Sequence, residues 1–326
     1  MMTTLRAGLI GAGMMGRNHG RVLGGLEGVE LVGIVDPNGD QHGVANGRPV
    51  FETVDQLIEH GVDYAMVAVP TALHLEVGTK LAEAGVHALI EKPLAESVES
   101  AEKLAEAFTS RGLIGGVGHI ERYNPALQSA RSRIENGDLG DVYQVATRRQ
   151  GPFPGRIADV GVVMDLATHD IDLTAWVTQQ HYVEITAQTA HRSGRPHEDL
   201  VAATGRLSGG TVVNHLVNWL SPLKERTTVI TGEKGTFIAD TLTADLTFYE
   251  NGKVQTEWPG LSQFRGVSEG DITRLAIPKP EPLKVEHEQF RDAVLGKDAD
   301  IVTLEQGLAT VRTAFKCIEY KKSAGQ

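Results

Sequence analysis

Three short stretches carry side chains whose types and spacing could do chemistry. "VMDLATHDIDL" (163–173) sets three aspartates and a histidine inside a hydrophobic frame, with no lysine or arginine to neutralise them. Residues four apart on a helix lie above one another, so Asp165 and His169 share a face. Thr168 and Asp172 could line the same surface, while Asp170 reads as structural. "LIEKPLA" (89–95) closes a buried apolar run with Glu91 and Lys92, and Pro93 stiffens the exit. "GLIGAGMMGRNHGRVL" (8–23) places Gly11, Gly13 and Gly16 in G-x-G-x-x-G spacing, with Ala12, Met14 and Met15 between them. The face of Asp165 and His169 could meet water, a substrate or a metal. The metal alternative would draw on Asp165, His169, Asp172 and His119, since carboxylate and imidazole are good zinc or manganese ligands, but no HExxH-like motif accompanies them.

The glycine turn is the most constrained of the three. Gly11 permits the tight turn, Gly13 lets the backbone approach a pyrophosphate, and Gly16 lets the helix pack closely on the strand. The helix N-terminus then offers unpaired N–H groups to phosphates. Asp36 ends the next strand 20 residues after Gly16, where a carboxylate accepts hydrogen bonds from ribose hydroxyls and repels a 2′-phosphate. NAD is therefore expected in preference to NADP. Lys92, at the carboxyl end of its strand, falls where a nicotinamide would lie. "VPTALH" (69–74) ends another strand in the same way and brings Pro70, Thr71 and His74 toward the cofactor.

The elements that must position these groups follow from the hydrophobic pattern. Up to about residue 120, short apolar runs at 5–11, 29–36, 62–70, 86–93 and 112–118 alternate with helical stretches at 14–27, 53–60, 72–84 and 96–110. That alternation predicts a doubly wound α/β domain with a parallel sheet buried on both faces. After about residue 140, β-rich runs follow one another with hairpin signals at 208–210, 232–235 and 251–252, which predicts a mostly antiparallel sheet with one covered face. Helices near 283–295 and 303–322 close the chain. The expected domains are 1–120 and 121–326, the second α+β, with the closing helices free to pack back on the first.

Composition narrows the partners. A formal net charge of −11 over 326 residues argues against a nucleic acid or an anionic membrane surface as partner. The single cysteine, Cys317, excludes an intramolecular disulfide and fits a reducing compartment. No run approaches the roughly 20 apolar residues of a membrane span, and the glycines of the first run do not suit a secretory signal. A cytoplasmic protein is expected.

"GAGMMGRNH", "VPTALH", "EKPLA", the later Asp-x-x-x-His and "TGEKGTF" (231–237) together resemble the Gfo/Idh/MocA family, and the resemblance covers nearly the whole chain. It implies a Rossmann domain, an open, mostly antiparallel C-terminal sheet used for homodimers or homotetramers, and hydride transfer between NAD(P) and a secondary alcohol of a sugar or polyol. It also implies that Lys92, Asp165 and His169 are catalytic, with Glu91 and Lys92 at the cofactor. A neutral histidine can take the hydroxyl proton and a lysine can hold the developing alkoxide; which of Lys92 and His169 accepts the proton is left open. "GHIERYNPAL" (118–127) and "DVGVVMDLATHDIDL" (159–173) resemble the branch acting on UDP-N-acetylglucosamine and its uronate at C3. In that branch Glu121, Arg122, Tyr123, Asn124, Lys92 and Thr168 would lie near substrate, with Arg148, Arg149 and Arg156 available for a diphosphate. The alternatives are an inositol or monosaccharide dehydrogenase, a glycoside hydrolase with tightly held NAD, and a non-catalytic NAD sensor.

Overall fold

A computed structural model describes residues 4–155, 160–252 and 268–324. The chain divides into two compact units, the first formed by Met1–Ile120 and Glu281–Arg312, the second by Glu121–Pro280 and Thr313–Gln326. The expected second domain thus gives up residues 281–312, which fold with the first unit.

Unit 1 is a six-stranded sheet of β1 (Leu5–Ile10), β2 (Val29–Val35), β3 (Val50–Phe51), β4 (Tyr64–Val67), β5 (His87–Glu91) and β6 (Gly115–Gly118) in the order β3-β2-β1-β4-β5-β6. Every pairing is parallel. The connections are α1 (Met14–Leu23), α2 (Val54–His60), α3 (His74–Glu83) and α4 (Val98–Thr109), and α7 (Pro282–Val294) joins them from the far end of the sequence. Helix starts are chemically marked: Thr53 and Gln56 form a reciprocal capping box on α2, and the Ser97 hydroxyl accepts the Ser100 N–H at 3.0 Å on α4. On α4, Ala101, Leu104 and Phe108 turn one apolar stripe inward. Leu9, Ile34, Tyr64, Met66 and Phe290 meet in the core. Burying such a side chain contributes about 1.5–3 kcal/mol.

Unit 2 is an eight-stranded sheet, ordered β14-β13-β12-β11-β7-β10-β9-β8. Its strands are β7 (Val142–Pro152), β8 (Tyr182–Ala190), β9 (Leu200–Leu207), β10 (Val212–Asn218), β11 (Leu220–Gly232), β12 (Gly235–Asp240), β13 (Asp245–Gly252) and β14 (Ser268–Leu275). Among the described residues, only β7–β10 pair in parallel. α5 (Pro125–Glu135) and α6 (Thr168–Thr178) pack on one face, where Val145, Val213, Ile230 and Phe237 form the core with Leu127 and Trp176. The last helix, α8 (Leu304–Ala324), starts in unit 1 and ends in unit 2.

Three elements were not anticipated, the third being β14 at the edge of the eight-stranded sheet. β3 is a two-residue edge strand, too short to show a period. α5 had a readable start: Asn124 caps it, with its side-chain oxygen accepting the Ala126 N–H at 3.0 Å, and Pro125 occupies the first turn.

Candidate active site

In unit 1 the strand order reverses between β1 and β4, the place where open α/β sheets bind ligands at the carboxyl ends of their strands. The glycine turn follows β1 there. Gly11 has φ of +93° and its N–H donates to the Val35 carbonyl at 2.8 Å. A methyl on Gly11 would fall 2.5 Å from the Ala68 carbonyl oxygen, and one on Gly16 would fall 1.9 Å from the Gly11 carbonyl oxygen. A methyl on Gly13 would meet nothing within 4 Å, so the space above the turn is open. No side chain caps α1, leaving its first N–H groups for an incoming acceptor. These features fit a dinucleotide diphosphate. Ala12 is buried, Met14 is exposed and Met15 half-buried beside the turn. The half-buried Asp36 carboxylate accepts the Ala12 N–H at 2.9 Å through Oδ2 and the Asn38 N–H at 2.9 Å through Oδ1. A carboxylate has about four acceptor positions, so capacity for ribose hydroxyls remains.

At the ends of β4 and β5 the expected residues separate by orientation. Pro70 is exposed and Thr71 half-buried at the start of a short 3₁₀ turn. His74 was expected to approach the cofactor; instead its ring is buried, with Nδ1 at 3.1 and 3.2 Å from the Pro93 and Leu94 carbonyls and Nε2 at 3.1 Å from that of Val69. Burial is the main influence on this ring and holds its pKa below the ordinary imidazole value. Glu91 likewise turns inward: Oε1 meets His19 Nε2 at 2.8 Å and Oε2 accepts the Lys92 N–H at 3.0 Å. Lys92 is half-buried directly after the strand.

In unit 2, Asp165 and His169 do not sit on one regular α-helix. Val163–Ala167 is a π turn that passes into α6 at Thr168, whose N–H reaches back to the Val163 carbonyl. Single π turns recur at functional sites. Glu198 fixes the entry: its carbonyl accepts the Val162 N–H at 2.9 Å and its Oε1 the Val163 N–H at 3.0 Å. Gly161 leaves room for that carboxylate, since a methyl there would sit 2.0 Å from it. Asp165 is buried and His169 half-buried.

Several residues expected at substrate are held inside unit 2. Arg122 and Asp172 form a buried bidentate pair, Nε to Oδ2 at 2.8 Å and Nη2 to Oδ1 at 2.6 Å. Asn124 caps α5 and donates to the Thr241 carbonyl at 3.0 Å. Tyr123 is buried, and the Thr168 hydroxyl donates to the Met164 carbonyl at 3.0 Å. Arg149, expected as a diphosphate ligand, is buried with Nε 2.9 Å from Asp170 Oδ1 and Nη1 2.8 Å from Glu121 Oε1. Burial opposes its charge, but the two carboxylates outweigh that and raise its pKa. Burial also pushes Asp170 up, more strongly than Arg149 pulls it down. Arg148 is the next residue along β7, and neighbours on a strand point to opposite faces. Its side chain, 57% exposed, stands on the face away from α6, 3.9 Å from Glu225. Arg156 lies outside the described residues. Among the described residues, no three His, Cys, Asp or Glu side chains are grouped to hold a metal, and no helix is long and apolar enough to cross a membrane.

One cation near Asp165 escaped the sequence reading. Arg226 on β11 donates through Nη1 to the carbonyls of Gln150 and Glu225 at 2.9 Å. Burial and the Arg149 charge lower its pKa, against the opposing charges of Asp170, Glu121 and Asp165. Nothing in "KERTTV" distinguishes it from a surface arginine, because its neighbours come from three other segments.

The parallel sheet, glycine turn and Asp36 define unit 1 as the dinucleotide-binding half of an oxidoreductase. Comparison with known proteins agrees: residues 5–119 match the model described as an oxidoreductase family, NAD-binding Rossmann fold, and 127–238 match the GFO/IDH/MocA C-terminal domain. The chain belongs to the Gfo/Idh/MocA family. It is 32% identical over 216 residues to the UDP-N-acetylglucosamine 3-dehydrogenase of Acidithiobacillus ferrooxidans, covering 65% of this chain and 66% of that protein. It is 29% identical over 197 residues to the scyllo-inositol 2-dehydrogenase (NAD(+)) of Bacillus subtilis, covering 57% of each. The matched stretches thus span less than two thirds of these relatives. A solved structure of the Acidithiobacillus enzyme superposes with a TM-score of 0.85 at 28% identity, covering 97% of both chains.

Proposed function

We propose that the protein is an NAD-dependent dehydrogenase that oxidises the C3 hydroxyl of a UDP-linked N-acetylhexosamine or its uronate to the 3-keto sugar. The observation that carries this reading is Lys92 at the carboxyl end of β5, in the same sheet as the uncapped glycine turn after β1. The 32% identity to a UDP-N-acetylglucosamine 3-dehydrogenase supports the substrate class. NAD, when bound, accepts the hydride. Gly11 to Gly16 and Asp36 hold the dinucleotide, and Asp36, with no arginine or lysine near it in sequence until Arg48, favours NAD over NADP. Lys92 donates a hydrogen bond to the reacting oxygen and stabilises its negative charge. His169 takes the hydroxyl proton, and Asp165 supports the imidazolium that results. With Arg122, Asn124 and Arg149 engaged internally, Arg226, half-buried on β11, is the guanidinium assigned in this reading to an anionic substrate.

A second copy covers the open face of the eight-stranded sheet in this reading. Tyr249 and Ile272 are register partners on it, 40% and 65% exposed. The reducing compartment suggested by the lone cysteine is the cytoplasm.

Lys92→Ala and His169→Ala should each lower kcat about 10²–10⁴-fold while the NAD dissociation constant stays within about threefold of the parent. Full activity in both variants would remove the catalytic assignment. A thermal-shift screen with NAD present should respond to UDP-N-acetylglucosamine and not to UDP alone. A response confined to inositols would move the substrate to the polyol class.

A further inference from the structure

Behind the dinucleotide turn, unit 1 buries four titratable side chains together. Glu91 ends β5, His19 lies on α1 three residues past Gly16, and Glu286 and His287 come from α7. His287 Nε2 is 2.8 Å from His19 Nδ1, and His19 Nε2 is 2.8 Å from Glu91 Oε1. Glu91 Oε2 then accepts the Lys92 N–H at 3.0 Å. A continuous chain of hydrogen bonds therefore runs from α7 through the cofactor helix to the peptide of Lys92. On the other side of that peptide, His74 of α3 faces the Pro93 and Leu94 carbonyls. Three helices hold the exit from β5 at residues 92–94.

Proton bookkeeping shows how the chain can be satisfied. Burial would push the Glu91 carboxyl up, but the hydrogen bond and charge of His19, with Lys92 and His74, hold it below the usual carboxylate range. Glu91 is thus an acceptor, and His19 Nε2–H donates to it. Burial, reinforced by the His19 charge, holds His287 well below the ordinary imidazole value, so it remains neutral. Burial and the Glu91 charge push Glu286 well above the carboxylate range. The Glu91 carboxylate then has a donor on each of its oxygens. An arrangement of this cost in the interior of a sheet protein, where apolar side chains would pack without penalty, calls for a role.

We propose that Glu91 and His19 are positioning residues, with His287 as their brace, that lock the Lys92 peptide and tie it to the helix that binds the cofactor. The inference rests on the reading of Lys92 as the group that meets the substrate oxygen. A misplacement of about 1 Å can lower a rate about 10²-fold. Glu91→Leu should therefore act through Lys92 and not through cofactor affinity. Glu91→Gln can keep every contact by reversing the direction of donation: its amide oxygen accepts from Lys92, its NH₂ donates to His19 Nε2, and His19 Nδ1–H donates to His287.

The test uses the full chain with NAD, and UDP-N-acetylglucosamine and myo-inositol as probe substrates. Glu91→Leu should lower kcat at least about 30-fold, with KM and the NAD dissociation constant within about threefold, and Glu91→Gln should return kcat to within about threefold of the parent. Adding Glu91→Leu to Lys92→Ala should bring no further loss, as expected of residues acting as a unit. Hydrogen exchange at the Lys92 amide, which needs no substrate, should quicken at least about tenfold in Glu91→Leu and not in Glu91→Gln. Should Glu91→Leu fail to fold, His19→Asn, too short to bridge Glu91 and His287, should show the same pattern. Unchanged exchange at Lys92, or a Glu91→Leu effect that multiplies that of Lys92→Ala, would overturn the inference. An inactive Lys92→Ala beside a fully active Glu91→Leu would sink the inference alone, whereas a fully active Lys92→Ala would sink the reading of Lys92 and the inference with it.

Discussion

The first turn of unit 1 and the entry to α6 in unit 2 both gather polar groups at the end of an apolar element, and they satisfy them in opposite ways. At the first turn the chemistry belongs to the backbone. Glycines at 11, 13 and 16 bring peptide groups together, no side chain caps α1, and its donors stay available. At α6 the chemistry belongs to side chains, and most of them neutralise one another: Arg122 with Asp172, Arg149 with Asp170 and Glu121. A backbone site is built by local spacing. A side-chain site is defined by partners that come from distant segments, as Asp172 does for Arg122 and Asp170 for Arg149.

The sharpest way to test this contrast is to break one internal pair. Asp172→Ala removes the carboxylate that holds the buried Arg122 guanidinium in a bidentate pair, which should cost about 3–5 kcal/mol of stability. Urea unfolding would measure it. Replacing both partners, Arg122→Leu with Asp172→Leu, should recover most of the loss. A cost under about 1 kcal/mol for Asp172→Ala would mean that water reaches the pair, and that Arg122 is available for substrate after all.

The corresponding break in unit 1 is Gly16→Ala. The new methyl would sit 1.9 Å from the Gly11 carbonyl oxygen, a backbone atom that cannot swing aside. α1 must shift away from the strand, and its N–H groups with it. NAD affinity should fall about 100-fold, equivalent to about 3 kcal/mol, as followed by titration with NAD. Unaltered NAD binding would show that the turn is a packing device and not a cofactor cradle.

Legibility followed the same division. The glycine turn, Asp36 and the parallel strands could be read directly because each rests on spacing within some 30 residues. Arg122 and Asp172 are 50 residues apart in sequence and Arg149 and Asp170 21 apart. Nothing in "GHIERYNPAL" shows that its arginine is already paired. Arg148 and Arg149 could have been told apart, because strand alternation sends one to each face, and Val145 and Thr147 mark the buried one. The π turn at Val163–Ala167 had no local signature: Glu198, some 30 residues further on, shapes it.

The smallest expected effect concerns a buried histidine that takes no part in either site. His215 on β10 lies between Thr147 Oγ1 and Tyr182 Oη, at 2.8 and 2.9 Å. Burial lowers its pKa to about 4. The unfolded chain, with an ordinary imidazole near 6.5, binds the proton more readily than the folded one between those values. Stability contributed by neutral His215 is therefore complete above about pH 6.5 and is lost as pH falls toward 4, by at most about 3 kcal/mol at one pKa unit per 1.36 kcal/mol. His215→Gln, which can still bridge Thr147 and Tyr182, should flatten urea-measured stability over that window while changing it little at pH 7. Because His215 stands in unit 2, an unchanged acid slope would transfer the burden to His287 of unit 1, whose pKa burial also holds down. The two buried histidine clusters would then differ in energetic weight as well as in chemistry.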